Sequence, residues 1–333
     1  MESVTLDDLD RRLVHALSLD GRVPFSRVAE VLGASERTIA RRYARLRSAG
    51  AVRVVGLPSG RRLGYVDWFV RVHCLPDDAA PLAAALARRD DTSWVGVASG
   101  GTELTCLTRT GPGERDGLLP ARLLRAPRVT SATAQCLLHP IAGLTGWPGR
   151  TSALTPDEAA RLGPATAGAH PETTGPGADG GPRLTAADRR LLPLLAADGR
   201  ADVTRLAAAT EWSPSTVRRR LAELRRTGVL YFDVEFDPRS FGYAVEAMLW
   251  LTVAPGALRQ AGRALAGLPE IAFAAAVTGP RNIAAIAVCR DTGALYDLLA
   301  DRVSALPGLR DADSALITRR TKRSGTLLLP NVR

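Results

Sequence analysis

Lysine is almost missing from this 333-residue chain: Lys322 is the only one, so nearly all of the 44 basic side chains are arginine. Arginine suits two-pronged recognition of phosphates and base edges, although the larger share of the excess falls to a GC-rich codon bias. No apolar run reaches the eighteen or more residues of a membrane span. The first nine residues carry two Asp and one Glu where a secretory signal would be basic, so a cytoplasmic location and no membrane contact are expected. Four cysteines, Cys74, Cys106, Cys136 and Cys289, stand singly in apolar runs without C-x-x-C spacing, which reads as packing and not as metal or redox chemistry. Phosphate loops, H-E-x-x-H and G-x-S-x-G are all lacking, and no histidine follows His170. No cofactor and no catalytic step are expected.

What the chain does have is a formal charge of +10 and a pI of 10.4, a balance that favours a polyanionic partner. It also has a long internal repeat. Shifted by 178 residues, 6–50 overlies 184–228 with 19 identities in 45 positions, among them Asp20-Gly21-Arg22 with Asp198-Gly199-Arg200. A period this long is a tandem duplication of a composite unit, well beyond the 20–50 residues of a solenoid repeat.

Each unit begins with three short helices. In the first copy Leu6, Leu9, Leu13, Val14 and Leu17 have helical spacing, and Asp20-Gly21-Arg22 reads as a stop with Gly past the last turn. A second helix covers 26–32, Gly33 and Ala34 make a tight turn, and a third covers 36–48. This is helix-turn-helix order. Ser35 and Ser213 suit the N-cap of the third helix in either copy, and Pro214 its first position. Ile39, Tyr43 and Leu46 share one helix face, as do Val217, Leu221 and Leu224, and should pin the helix to its domain. The other face carries Arg37, Thr38, Arg41 and Arg45 in the first copy, and Ser215, Thr216, Arg219 and Glu223 in the second, with Arg42 and Arg220 on its flank, and Arg218 is counted with the DNA contacts. Side chains of these types reach bases and phosphates, so double-stranded DNA is the expected partner. Segments 52–55 and 62–65, around Pro58-Ser59-Gly60, read as a β-hairpin wing that adds Arg61 and Arg62 to the DNA contacts.

The pattern then changes to alternating strands and helices in βαββαβ order, the ferredoxin-like arrangement. The first copy is expected to give strands at 66–75, 93–98, 103–108 and 129–138 with helices at 79–89 and 115–125. The second should give strands at 244–253, 271–277, 283–289 and 311–318 with helices at 258–266 and 292–304. Between the copies, 140–183 has the Gly, Pro, Ala and Thr content of a flexible connector, with Thr155-Pro156-Asp157-Glu158 able to cap one short helix. The fold class is therefore α+β, with domains at 1–65, 66–139, 184–243 and 244–323 around the connector at 140–183.

The helix-turn-helix with Trp212-Ser213-Pro214-Ser215-Thr216-Val217-Arg218-Arg219-Arg220, the segment Asp237-Pro238-Arg239-Ser240-Phe241-Gly242-Tyr243, and the βαββαβ partner together resemble the Lrp/AsnC family of transcriptional regulators. The resemblance implies sheet domains that pair, self-association through them, and a small effector such as an amino acid near the turn between the second and third strands. The matching residues are Gly100, Gly101 and Glu103 in the first copy, and Thr278, Gly279, Arg281 and Asn282 in the second. Family members usually carry Asp where Asn282 stands. The same double architecture also resembles sirohaem decarboxylases, with His73 and His139 as the histidines nearest in kind, and an adaptor that no longer binds DNA is a third reading. By charge the two heads differ: 6–65 has 12 Arg against 6 acids and 184–243 has 10 against 8, so the first is expected to bind DNA more strongly. One chain with both heads could pair its sheets internally, or between chains.

Overall fold

Capping and apolar spacing decide where the helices of each half start and stop. In the computed structural model, which describes residues 6–111, 128–143, 153–162 and 184–324, the first half gives α1 (Asp8–Leu19), α2 (Phe25–Leu32), α3 (Glu36–Ser48), β1 (Val52–Pro58), β2 (Val66–Cys74), α4 (Pro76–Ala87), β3 (Thr92–Ala98), β4 (Glu103–Thr110) and β5 (Val129–Ala142). A short α5 (Pro156–Arg161) precedes the second half. That half gives α6 (Ala186–Ala197), α7 (Val203–Thr210), α8 (Pro214–Arg226), β6 (Leu230–Phe236), β7 (Val245–Val253), α9 (Leu258–Ala266), β8 (Ile271–Val277), β9 (Ile283–Cys289), α10 (Thr292–Asp297) and β10 (Leu309–Arg320). The helix expected at 115–125 lies outside the described residues.

The chain divides into two units, and each takes one piece from either half. Residues 1–63 with 144–243 form a helical unit, and 64–143 with 244–333 form a sheet unit. The helical unit holds both helix-turn-helix heads. Capping boxes open α1 at Asp7 and α6 at Thr185, and the left-handed Gly33 ends α2. Leu13, Leu17, Val28, Ile39 and Leu46 are buried in the first head, and Leu191, Leu206, Val217 and Leu224 in the second.

The expected wing is not formed. β1 pairs antiparallel with β6 of the other head, Val52 opposite Phe236 through Pro58 opposite Leu230, and Arg61–Leu63 is a single 3-10 turn. The seven-residue ladder buries Val52, Val54, Val55, Val234 and Phe236, apolar surface that stabilises this pairing. The connector also differs from expectation. β5 runs on to Ala142, and Thr155 caps α5 as its sequence suggested, but Leu154 and Leu162 at the ends of α5 are buried. Arg12 pairs with Glu158 at 2.5 Å, Arg27 donates to the Arg161 carbonyl, and the Leu154 N–H donates to His15 Nδ1 at 2.9 Å. A stretch poor in large apolar residues can dock when two leucines sit one short helix apart.

In the sheet unit each half forms the ferredoxin-like strand order, β5-β2-β4-β3 and β10-β7-β9-β8. The fourth strand of either half then adds to the second strand of the other, β5 to β8 and β10 to β3, and closes an eight-stranded barrel. The pairing that the sequence left open between one chain and two is thus made within one chain. One face of each half-sheet packs on helix: Leu86 of α4 clusters with Val70, Val72 and Leu104 in the first half, and Leu265 of α9 and Leu298 just after α10 cluster with Leu249 and Leu251 in the second. On the other face Phe69 meets Trp250 edge-on at 5.0 Å. The cysteines behave as packing residues: burial pushes the Cys106 thiol up to about 12 and Cys289 to about 11, so both stay protonated.

Candidate nucleic-acid interface

The third helix of each head carries the expected readers, and the structure sorts them into exposed and spent. Ser35 and Ser213 are N-caps, accepting from the N–H of Thr38 and Thr216 at 3.1 and 3.2 Å. Their hydroxyls also share hydrogens with Thr38, and with Ser215 and Thr216, so the serines set the first turn. Arg37 and Arg41 on α3, and Arg218 and Arg219 on α8, are exposed. Arg226 in the last turn of α8 is exposed as well.

Arg42, Arg45 and Arg220 are differently placed. Arg42 bonds Asp7 and Asp10, and Arg45 bonds Asp10, whose carboxylate is fully buried. In the second head Arg220 grips the equally buried Asp188 through two hydrogen bonds of 2.9 and 2.6 Å and also meets Glu223. These side chains tie the third helix to the first helix of the same head, a role their place on the flank of the polar face did not reveal. Arg61 and Arg62 are half-buried in the turn after β1 and not at a wing tip. Part of the charge difference between the heads meets inside the ladder, where Arg53 lies directly opposite Glu235.

The Asp-Gly-Arg repeats do a job that was not read from the sequence. Arg22 donates to the carbonyls of Gly199 and Ala201 at 2.7 and 3.1 Å, and Arg200 returns the bonds to Gly21 and Val23 at 2.7 and 3.0 Å. Arg47 pairs with Asp198 at 2.9 Å, and Arg225 with Asp20 at 3.0 Å. Neither glycine is a left-handed helix stop; both give room. A Cβ on Gly21 would lie 2.8 Å from Phe232 and Val54, and one on Gly199 2.8 Å from the Val55 backbone. Burial holds the guanidinium groups of Arg22 and Arg200 below the usual arginine value, which leaves them charged. Identity of the whole tripeptide at one offset was the signal: a helix stop needs the glycine alone.

In the sheet unit the two glycine turns are unlike. At the second, Thr278 accepts from the Cys136 N–H at 2.8 Å, Asn282 is bonded to both backbone groups of Val253, and Arg281 pairs with Asp311. Gln135 donates to the Arg281 carbonyl at 2.9 Å and fills the space where a Cβ on Gly279 would go. At the first, Glu103 is buried and held by Arg71 and Ser99, Arg71 also meets Asp313 at 2.9 Å, and a Cβ on Gly100 would meet open space. Gly100 and Gly101 both have positive φ.

Against known proteins, residues 6–47 and 184–225 match the AsnC-type helix-turn-helix domain, and 246–327 match the Lrp/AsnC ligand binding domain. An uncharacterised HTH-type transcriptional regulator of Pyrococcus abyssi is 30% identical over 137 residues, which is 41% of this chain and 87% of that protein. The HTH-type transcriptional regulator LrpA1 of Halobacterium salinarum is 26% identical over 136 residues, 40% of this chain and 96% of that protein. Among solved structures, the sirohaem decarboxylase NirDL is similar in fold over 95% of this chain and 93% of its own, with a TM-score of 0.62 and 16% identity. Two helix-turn-helix matches, a ligand-domain match and relatives that are regulators agree: the chain belongs to the Lrp/AsnC family of helix-turn-helix transcriptional regulators, with the DNA-reading domain present twice.

Proposed function

We propose that this regulator reads an asymmetric stretch of double-stranded DNA with two nonidentical heads carried by one polypeptide. The observation that supports it is the outward face of the third helices. At matching positions α3 and α8 present Arg37 and Ser215, Ala40 and Arg218, Arg45 and Glu223, and Ser48 and Arg226, while their inward faces stay apolar or aromatic, Ile39, Tyr43 and Leu46 against Val217, Leu221 and Leu224. Base contacts come from the first turns of such a helix, and operator palindromy mirrors protein symmetry, so unlike faces call for unlike half-sites. Ser35, Thr38, Ser213, Ser215 and Thr216 shape the helix starts, Arg37, Arg41, Arg218 and Arg219 contact DNA, and Arg42, Arg45 and Arg220 hold the helices in place.

Capture and sequencing of fragments of the organism's own genome at two salt concentrations tests this. Discrete sites with two dissimilar half-sites are expected; uniform, salt-labile capture would leave a basic surface and favour an adaptor. The regulator acts without a chemical step on this reading, and a sirohaem titration that produced a bound Soret band and loss of carboxylate would reverse it. We assign effector sensing to the first turn, at Gly100 and Gly101 beside Glu103, because Thr278, Gly279, Arg281 and Asn282 at the second are engaged by the chain itself. Calorimetry against amino acids should then give one site per chain. Among the described residues no helix is long and apolar enough to cross a membrane.

A further inference from the structure

The two Asp-Gly-Arg loops exchange arginine-to-carbonyl bonds in two-fold fashion, but their stacking is not two-fold. Arg200, from the second half, lies over the Phe25 ring at 4.1 Å and over the Tyr43 ring at 5.6 Å. Tyr43 is on α3 itself, on the buried face that sets how the helix sits, and Phe25 packs on it at 5.4 Å between ring centres. Arg22 has only Phe232 of β6, at 5.7 Å, and the positions that match Phe25 and Tyr43 in the second head, Val203 and Leu221, offer no ring. Two further ion pairs, Arg47 to Asp198 and Arg225 to Asp20, repeat on both sides, while Arg11 of α1 stacks on Phe241 at 5.7 Å and donates to its carbonyl, away from either third helix.

We propose that Arg200 is a positioning residue for DNA reading by the first head: seated on Phe25 and Tyr43, it sets the pose of α3, while the reverse brace from Arg22 meets no ring on α8, whose tie to the first head is the Arg225–Asp20 ion pair. The inference rests on α3 and α8 being DNA readers. It makes one head dependent on the other, so that the first half-site is read well only when the second head is docked beside it. The guanidinium supplies both parts of the brace, lying over the rings and donating two bonds to the Gly21 and Val23 carbonyls. Lysine keeps the charge and loses the planar fork that meets the rings and both carbonyls at once.

The test uses the full chain and its best captured genomic fragment, with half-sites assigned by which footprint Arg41→Ala or Arg219→Ala removes. Arg200→Lys should weaken protection of the first half-site about tenfold, the size of one well-formed stacking contact, and the second less than about twofold. Arg22→Lys should affect both half-sites alike. Phe25→Leu, which keeps the carbonyl bonds, should reproduce the Arg200→Lys pattern in weaker form, and it serves if Arg200→Lys fails to fold. Hydrogen exchange without DNA should show faster exchange in α3 than in α8 for Arg200→Lys. Equal losses at both half-sites with equal exchange in both helices would overturn the proposal. A wild-type protein with no discrete footprint would overturn the DNA-reading proposal instead, and the exchange measurement would still decide whether Arg200 braces α3.

Discussion

The two heads share a scaffold and differ in what they show to solvent. Positions that face inward match across the 178-residue repeat: Asp10 and Asp188, Arg42 and Arg220, Leu46 and Leu224, and the two Asp-Gly-Arg loops. Positions that face outward part company, as Arg37 and Ser215 do, or Arg45 and Glu223. Counting charges along the chain makes the first head look much the stronger binder. Counting the exposed arginines near the helix starts gives two apiece, Arg37 and Arg41 against Arg218 and Arg219, because Arg42 and Arg45 neutralise Asp7 and Asp10 inside the first head. Net charge bears on how strongly a domain attracts DNA from afar, whereas contact depends on which charges remain unpaired.

The sharpest way to separate the heads is to remove the arginine that each buries against its carboxylate. Arg220→Ala would leave the Asp188 carboxylate buried with only its Thr185 cap, at a cost of roughly 3 kcal/mol. Arg42→Ala leaves Arg45 on Asp10 and should cost clearly less. Denaturant melts with hydrogen exchange resolved by head would show it, and equal losses would mean that the two ion pairs are equivalent after all. Smaller effects are expected on DNA. Arg37→Ala should relax base preference in the first half-site by about 1–3 kcal/mol, with no counterpart for Ser215→Ala. Arg41→Ala and Arg219→Ala should each lower the logarithmic salt slope by a little under one unit, while Arg42→Gln leaves the slope unchanged because that arginine is spent internally.

Much of this was legible in the sequence. Apolar spacing located the three helices of each head, because their two faces meet different surroundings, and the change to short apolar runs in βαββαβ order located the strands. What the sequence hid were partners distant along the chain. Nothing local in Val52–Pro58 tells whether it folds back as a hairpin or pairs with Leu230–Phe236, since either satisfies its ladder and only the second buries both apolar sets. Likewise the spacing of Arg42 and Arg220 puts them on the flank of a polar face, and the buried Asp10 and Asp188 that claim them lie 32 residues earlier. At the candidate effector turns, glycine spacing located the turns themselves, but Gln135 comes from a strand of the other half, which no motif search joins to Gly279.

Acid should extend the comparison between heads with the smallest perturbation. Burial alone would raise the Asp188 carboxyl, but the Arg220 hydrogen bonds and the Thr185 cap outweigh it and hold the group below the usual carboxylate range. A depressed folded value means that the stabilisation is complete above the unfolded value, near about 3.9, and is lost as pH falls through the folded value. Asp7 in the first head is also held low, chiefly by its hydrogen bond from Arg42 and then by the Asp10 N–H, but it is exposed and screened by solvent. Below about pH 4 the second head should therefore lose protection from hydrogen exchange before the first. Asp188→Asn should lower the stability of the second head at neutral pH and flatten its response to acid; an acid response that survives that substitution would assign the effect to other carboxylates.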